Sequence, residues 1–163
     1  MATRPPVDYI ERTREQYDAL GYPAYQWVHS EEPPVFAPLD KPLSECRLGL
    51  IASGGIYTRG QIAFHFKDDF SYREVSTDAA TEDLRATHFA YDLTDARRDP
   101  NVVFPIDTLR RCVNEGLIGG LADTAYTFMG GIYSVRKVAT LLAPALAERV
   151  VEDEVDAVLM VPV

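Results

Sequence analysis

Cysteine is scarce in this 163-residue chain: Cys46 and Cys112 are the only two, far apart and outside any CxxC pair. A disulfide framework and a thiolate metal site are therefore not expected, and both residues read as reduced thiols packed like small hydrophobes. Histidine is equally thin. His29, His65 and His88 have no close ligand spacing, so no zinc site is expected either. No apolar run approaches the roughly 20 residues that span a bilayer. The N-terminal stretch MATRPPVDYIERTREQ lacks an apolar signal core, which makes the cytoplasm the expected location. Positive charge is short as well, with 16 Lys and Arg against 25 Asp and Glu and a net charge of -9. That balance argues against nucleic acid or an anionic membrane as partner, since both need a positive patch.

What is present is a globular composition, 47% hydrophobic and 25% charged, in a length that suits one domain with a sizeable core. Residues 7–20, VDYIERTREQYDAL, fit a short amphipathic helix. Val7, Ile10, Tyr17 and Leu20 share one face, and Gly21 stops it. Residues 22–43 hold five prolines and many aromatics, which forbids a long helix. They read as an extended arm that wraps the domain, anchored by Trp27 and Phe36. The expected organisation is thus a helix and arm over 1–43 and an α/β domain over 44–163.

RLGLIASGG predicts a strand, with Leu48, Leu50 and Ile51 as its apolar residues, breaking at Gly54-Gly55. The turn matches neither the GxGxxG fingerprint nor a P-loop, which needs Lys where Gln61 stands. It is either a close backbone approach to something small or a plain glycine turn. SYREVS and THFAYD are further strand candidates. PIDTLRRCVNEG is a clear helix, with Pro105 in its first turn, Asp107 at its positive end and Gly116 as its stop. Ile106, Leu109 and Val113 should face the core. GLIGGLADTAYTFMGG reads as a glycine-rich loop. A second helix starts at Ser134, with Val135, Val138, Leu142 and Ala145 inward and Pro144 bending or splitting it. DAVLMVPV reads as a buried strand. The order predicts an α/β fold, a Rossmann-like open, mostly parallel sheet with flanking helices. Ligands in such sheets sit beyond the carboxyl ends of the strands, here the Ser53-Gly54-Gly55 turn and the position after Val163.

Polar candidates are few. His88 and Asp92, four apart, share a face in a strand or a helical turn, and a carboxylate beside an imidazole suits acid–base work. A histidine satisfying a buried carbonyl is the alternative. In DARRDPNVVFPID, Asp99 and Asn101 flank Pro100 and suggest a turn bonding its own backbone. An anion-binding loop using Arg97 or Arg98 is the sharper reading. TFMGG looks like a packed loop.

The stretches RLGLIASGGIYTRGQ, DFSYREVS, THFAYDLTDARRDPNVVFPIDTLRRCVNEGLIGGLADTAYTFMGG and DAVLMVPV, in that order, resemble the selenoprotein B family of glycine/sarcosine/betaine/D-proline reductases. The resemblance runs from about Asp8 to the last residue, and RRDPNVVFPIDTLRRCVNEGLIG is its most specific part. It implies an α/β enzyme that reductively cleaves the C–N bond of a small amine or amino acid. A redox-active selenocysteine or cysteine attacks the substrate carbon. A pyruvoyl group on a partner subunit holds the amine in some members, and a thioredoxin-type reductant or a homo-oligomer is a further implied partner. The resemblance makes His88 and Asp92 catalytic candidates, and Ser53, Gly54, Gly55, Asp99 and Asn101 substrate-binding ones. Cys46 and Cys112 do not match the redox position, and no cofactor is expected on these residues themselves. In the family a Cys or selenocysteine commonly follows the strand matching DAVLMVPV. The expectation is therefore a chain cut at a selenocysteine codon, an incomplete sheet, and a nucleophile directly after Val163. The competing reading is a non-catalytic docking subunit that binds a small ligand at the Ser53-Gly54-Gly55 turn.

Overall fold

A computed structural model describes residues 7–35 and 37–163. The chain divides into two compact units, Met1–Phe36 and Ala37–Val163. In the first, helix α1 (Tyr9–Ala19) is capped by Asp8, whose carboxylate accepts the Glu11 N–H. Tyr17 packs edge-on against Tyr22 and Tyr25, and Trp27 against Tyr9 and Tyr25, so the arm folds back on its own helix. The second expected anchor, Phe36, lies outside the described residues.

The second unit is α/β. Its elements are β1 (Arg47–Ala52), β2 (Ile56–Thr58), β3 (Tyr72–Ser76), β4 (Leu84–Ala86), α2 (Thr94–Arg98), α3 (Ile106–Asn114), β5 (Gly120–Leu121), β6 (Thr124–Phe128), α4 (Val135–Lys137), α5 (Ala143–Glu152) and β7 (Ala157–Val161). Strand β1 is central. One edge pairs in parallel with β7, and the other with β5 and then β6, also in parallel. Strand β3 closes the far side, antiparallel to β6. Strands β2 and β4 form a separate antiparallel ribbon. The sheet is open and mostly parallel, as expected.

Alternation along β1 splits the core in two. Leu48, Leu50 and Ala52 face one layer, where they meet Phe104, Ile106 and Leu109 from α3 and its lead-in, and Ile56, Leu84 and Ala86 of the ribbon. Ile51 faces the other, where it meets Tyr126 of β6 and Leu142 and Leu146 of the second helix. Helix α3 therefore runs as predicted, with Ile106 and Leu109 buried and Val113 packed beside them.

Besides THFAYD, which forms no strand because β4 ends at Ala86, three expectations change. GLIGGLADTAYTFMGG is not a loop but holds β5 and β6, and β6 touches both β1 and β3. Its Ala125, Tyr126 and Thr127 are all buried, so it shows neither alternation nor a long apolar run. Strand β7 is not buried. It sits half-covered at an edge, with Met160 65% exposed. The third change concerns the second helix. Its inward residues are Leu142 and Leu146, with Val150 packed beside them, while Val135 lies 51% exposed. Pro144 lacks an N–H, and its ring would meet the Thr140 carbonyl in a regular helix. The chain instead widens into a π turn over Val138–Leu142, closed by the Ala143 N–H on the Val138 carbonyl. The helix is thereby split, as Pro144 led one to expect.

Candidate functional site

The carboxyl ends of β1 and β7 are tied together by Ser53. Its N–H donates to the Val161 carbonyl at 3.0 Å, and its hydroxyl accepts the Val163 N–H at 2.9 Å. On the other side the Gly130 N–H donates to the Ser53 carbonyl at 2.9 Å. The residue thus sits at the crevice where ligands of parallel sheets bind.

The two glycines after it are required by contact. A Cβ on Gly54 would lie 2.9 Å from the Val103 Cβ. Gly55 has φ +70°, and a Cβ there would lie 2.0 Å from the Thr87 carbonyl oxygen. No side chain fits that space, and the left-handed backbone disfavours one anyway. The close approach lets Gly55 bond in two directions: its N–H donates to Phe128 and its carbonyl accepts from Thr87, each at 2.9 Å. The turn is the junction between the main sheet and the β2–β4 ribbon.

His88 lies just past that ribbon. It is buried, 3% exposed, and beside Phe89 and Tyr91. The predicted pairing with Asp92 does not form. Strand β4 ends at Ala86, so residues 88–92 have no regular period to bring the two side chains together. The Nδ1 of His88 accepts the Ala90 N–H at 3.0 Å, which places the proton of the neutral ring on Nε2. That Nε2 is buried with no protein acceptor. Burial pushes the imidazole pKa below its ordinary value, so the ring is neutral at pH 7. Asp92 turns outward. Its carboxylate accepts the Thr94 N–H at 2.9 Å and the Thr94 hydroxyl at 2.7 Å, and the hydroxyl bond holds its pKa below the usual carboxylate range.

Asp99 and Asn101 build a cap. Asp99 Oδ1 accepts the N–H and the Nδ2 of Asn101, each at 3.0 Å. Asn101 Nδ2 also donates to Asp107 Oδ2 at 2.8 Å, and its Oδ1 accepts the Asp107 N–H at 3.0 Å. Both ends of the Asn101 amide are spent on the first turn of α3. Their link to the crevice is indirect: they fix the turn that presents Val103 to Gly54.

Four residues missed in the sequence stand at the crevice. The Tyr91 hydroxyl donates to the Gly54 carbonyl at 2.8 Å. Gly130 and Gly131 admit close neighbours: a Cβ would lie 3.1 Å from the Ser53 Cβ at the first and 2.3 Å from the Phe89 ring at the second. Phe89 stacks between His88 and Tyr133. The signal was the TFMGG motif, read as packing. Its glycines do serve packing, but packing against the crevice residues themselves. Among the described residues no cluster of His, Cys, Asp and Glu could hold a metal ion, and no helix is long and apolar enough to cross a membrane.

The chain is similar to several reductase subunits. It is 35% identical over 134 residues to the D-proline reductase subunit gamma of Acetoanaerobium sticklandii, covering 82% of this chain and 55% of that one. It is 34% identical over 126 residues to the glycine reductase complex component B subunit gamma of Symbiobacterium thermophilum, covering 74% and 29%. It is 27% identical over 128 residues to the sarcosine reductase complex component B subunit beta of Peptoclostridium acidaminophilum, covering 76% and 29%. The chain thus spans about half the length of the first and under a third of the others. No solved structure matches it. The family model for glycine/sarcosine/betaine reductase selenoprotein B matches residues 23–163, the whole α/β unit included, and to that family this chain belongs.

Proposed function

We propose that these residues form the substrate-facing half of a subunit that reductively cleaves the C–N bond of a small amine or amino acid. The attacking selenocysteine or cysteine belongs to the position after the strand matching β7. One observation carries the reading: Ser53 holds the Val163 N–H at the shared carboxyl end of β1 and β7, which supports a nucleophile at the mouth of the crevice. A chalcogenide there forms a bond to the substrate carbon as the C–N bond breaks, and the amine leaves with a proton. A second thiol of the same motif then attacks the chalcogen, which frees the reduced carbon product with a proton and leaves a chalcogen–sulfur bond. A thioredoxin-type dithiol reduces that bond and is itself oxidised to a disulfide. A pyruvoyl group on a partner subunit, where one is used, polarises the carbon under attack. The setting is cytoplasmic, where such a centre stays reduced.

The roles of the present residues come from their geometry. Ser53, Gly54 and Gly55 form a closely packed backbone turn that fixes the strand ends at the crevice. His88 carries an orphan Nε2–H, and an unmet buried donor costs about 1–3 kcal/mol. On this reading a polar group of the substrate is its acceptor. The neutral ring makes His88 a hydrogen-bond donor rather than a strong acid. Asp92, Asp99 and Asn101 keep the surrounding loops in place.

The test uses the full-length protein, encoded by the DNA through and past codon 163. It is reduced with a dithiol, alkylated with iodoacetamide and mapped by mass spectrometry, and release of amine from glycine, sarcosine and betaine, together with ring opening of D-proline to an open-chain amino acid, is followed in parallel. The expected result is alkylation at the position after Val163, and substrate-dependent amine release that alkylation abolishes. An ordinary stop codon there overturns the proposal and leaves a docking subunit, and amine release that survives alkylation overturns it by removing the chalcogen nucleophile.

A further inference from the structure

A cleft of about 410 Å³ lies beside the β2–β4 ribbon, lined by Tyr57, Arg85, Thr87, Ala96 and Arg97 among others. Tyr57 and Arg85 are cross-strand partners. The lining holds two guanidinium groups and no carboxylate, which is unusual in a chain of net charge -9. Arg98, the next residue, pairs with Asp95 at 2.7 Å. Among the described residues neither Arg97 nor Arg85 has a carboxylate within 4.0 Å. Arg85 is instead fixed by backbone: its Nη1 donates to the Glu82 and Leu84 carbonyls, each at 2.7 Å. Those bonds hold the fork and leave its charge uncompensated. The Tyr57 hydroxyl accepts from Thr87 at 3.4 Å, which leaves its own proton free to donate.

We propose that this cleft binds a small oxyanion, a carboxylate or a phosphate, held by Arg97 and Arg85 with the Tyr57 hydroxyl as a third donor. Guanidinium matches such groups because its N–H fork fits two oxygens at once. Relief of two uncompensated like charges adds to the attraction. The cleft shares no lining residue with Ser53, Gly54, Gly55 or His88, so it stands apart from the proposed catalytic reading. It lies against the same turn from behind, since the Thr87 N–H donates to the Gly55 carbonyl. Occupancy should therefore be felt at Gly55.

The experiment titrates the ¹⁵N-labelled full-length protein with inorganic phosphate and, separately, with acetate, at constant ionic strength set by chloride. Saturable shifts of the Tyr57, Thr87 and Ala96 amides are expected at millimolar ligand with one anion or both, and the anion that saturates names the source. Arg97→Gln weakens binding about tenfold or more, and Arg97→Lys falls between, because it keeps the charge and loses the fork. Arg97 is exposed, so neither change should move the thermal midpoint. No saturation by either anion up to about 50 mM, or equal binding by Arg97→Gln, overturns the proposal.

Discussion

The Ser53 hydroxyl accepts the Val163 amide at 2.9 Å across 110 positions of sequence, joining the ends of two parallel neighbours. Ser53→Ala removes that acceptor and leaves Val163 held by packing alone. A neutral hydrogen bond of this kind contributes about 1 kcal/mol. Hydrogen exchange of the Val163 amide should speed up about tenfold while α3 amides stay protected. Equal exchange in both proteins would detach Ser53 from the strand end.

Gly55→Ala is the most damaging single change expected. The new methyl would need the space of the Thr87 carbonyl, at a φ that L residues seldom adopt. A loss of about 3 kcal/mol or more is expected, read as a fall in the urea midpoint. The change at Gly60, which also has positive φ but open space around it, should cost about 1 kcal/mol.

The pH dependence of stability isolates His88. Its folded pKa is depressed by burial, so the unfolded state takes up its proton first as the pH falls. Stability from this group is complete above the unfolded value of about 6.5 and is lost as pH drops from there through the folded value. Asp107, held low by its Asn101 bond, and Asp68, held low by the Ser134 N–H, lose their contributions only at more acid pH, below the ordinary carboxylate value of 3.8. Urea midpoints at pH 7.5 and 5.5 should differ less in His88→Gln than in the parent.

Asn101→Ala separates support from substrate contact. Its amide is spent on Asp99 and Asp107, so the variant should lose about 1–2 kcal/mol of stability from the α3 cap. On the proposed function, the KM of the full-length protein should stay within about twofold at temperatures where the variant is folded. A large KM rise would return Asn101 to the substrate.

Strand β7 has one edge on β1 and no strand on its other edge among the described residues. Beside it, Ile51, Phe128, Val158 and Met160 line an apolar cleft with the second helix, about 320 Å³ in volume. Such an edge invites association. The 163-residue chain should self-associate with rising concentration in light scattering, and Met160→Lys should reduce this. A monomer at all concentrations would contradict the expectation.

Much of the scaffold was legible because local chemistry and tertiary position agree there. Helix α3 has its proline entry, acidic first turn and glycine exit, and its apolar spacing points the same way. Strand β1 is apolar on both faces and ends where Gly54 and Gly55 must turn. Strand β6 was hidden because Ala125 and Thr127 face one layer and Tyr126 the other, all of them buried, between glycine-rich flanks. The crevice was legible at Ser53, Gly54 and Gly55 and not at Asp92, because pairing with His88 presumed a regular period that the chain abandons after Ala86. The self-bonding turn of Asp99 and Asn101 was legible, but the second partner of Asn101 was not. Asp107 lies across the Pro105 bend, and only the fold brings the two together.

The π turn ahead of Pro144 has a bearing on how such a helix tolerates insertions and deletions. It accommodates one residue beyond regular winding without rotating the turns downstream, so Leu146 and Val150 keep their phase toward the sheet. A homologue with one residue fewer here, and without the proline, could run a straight helix and cover the same face. Length variation in this family is expected to cluster at that turn.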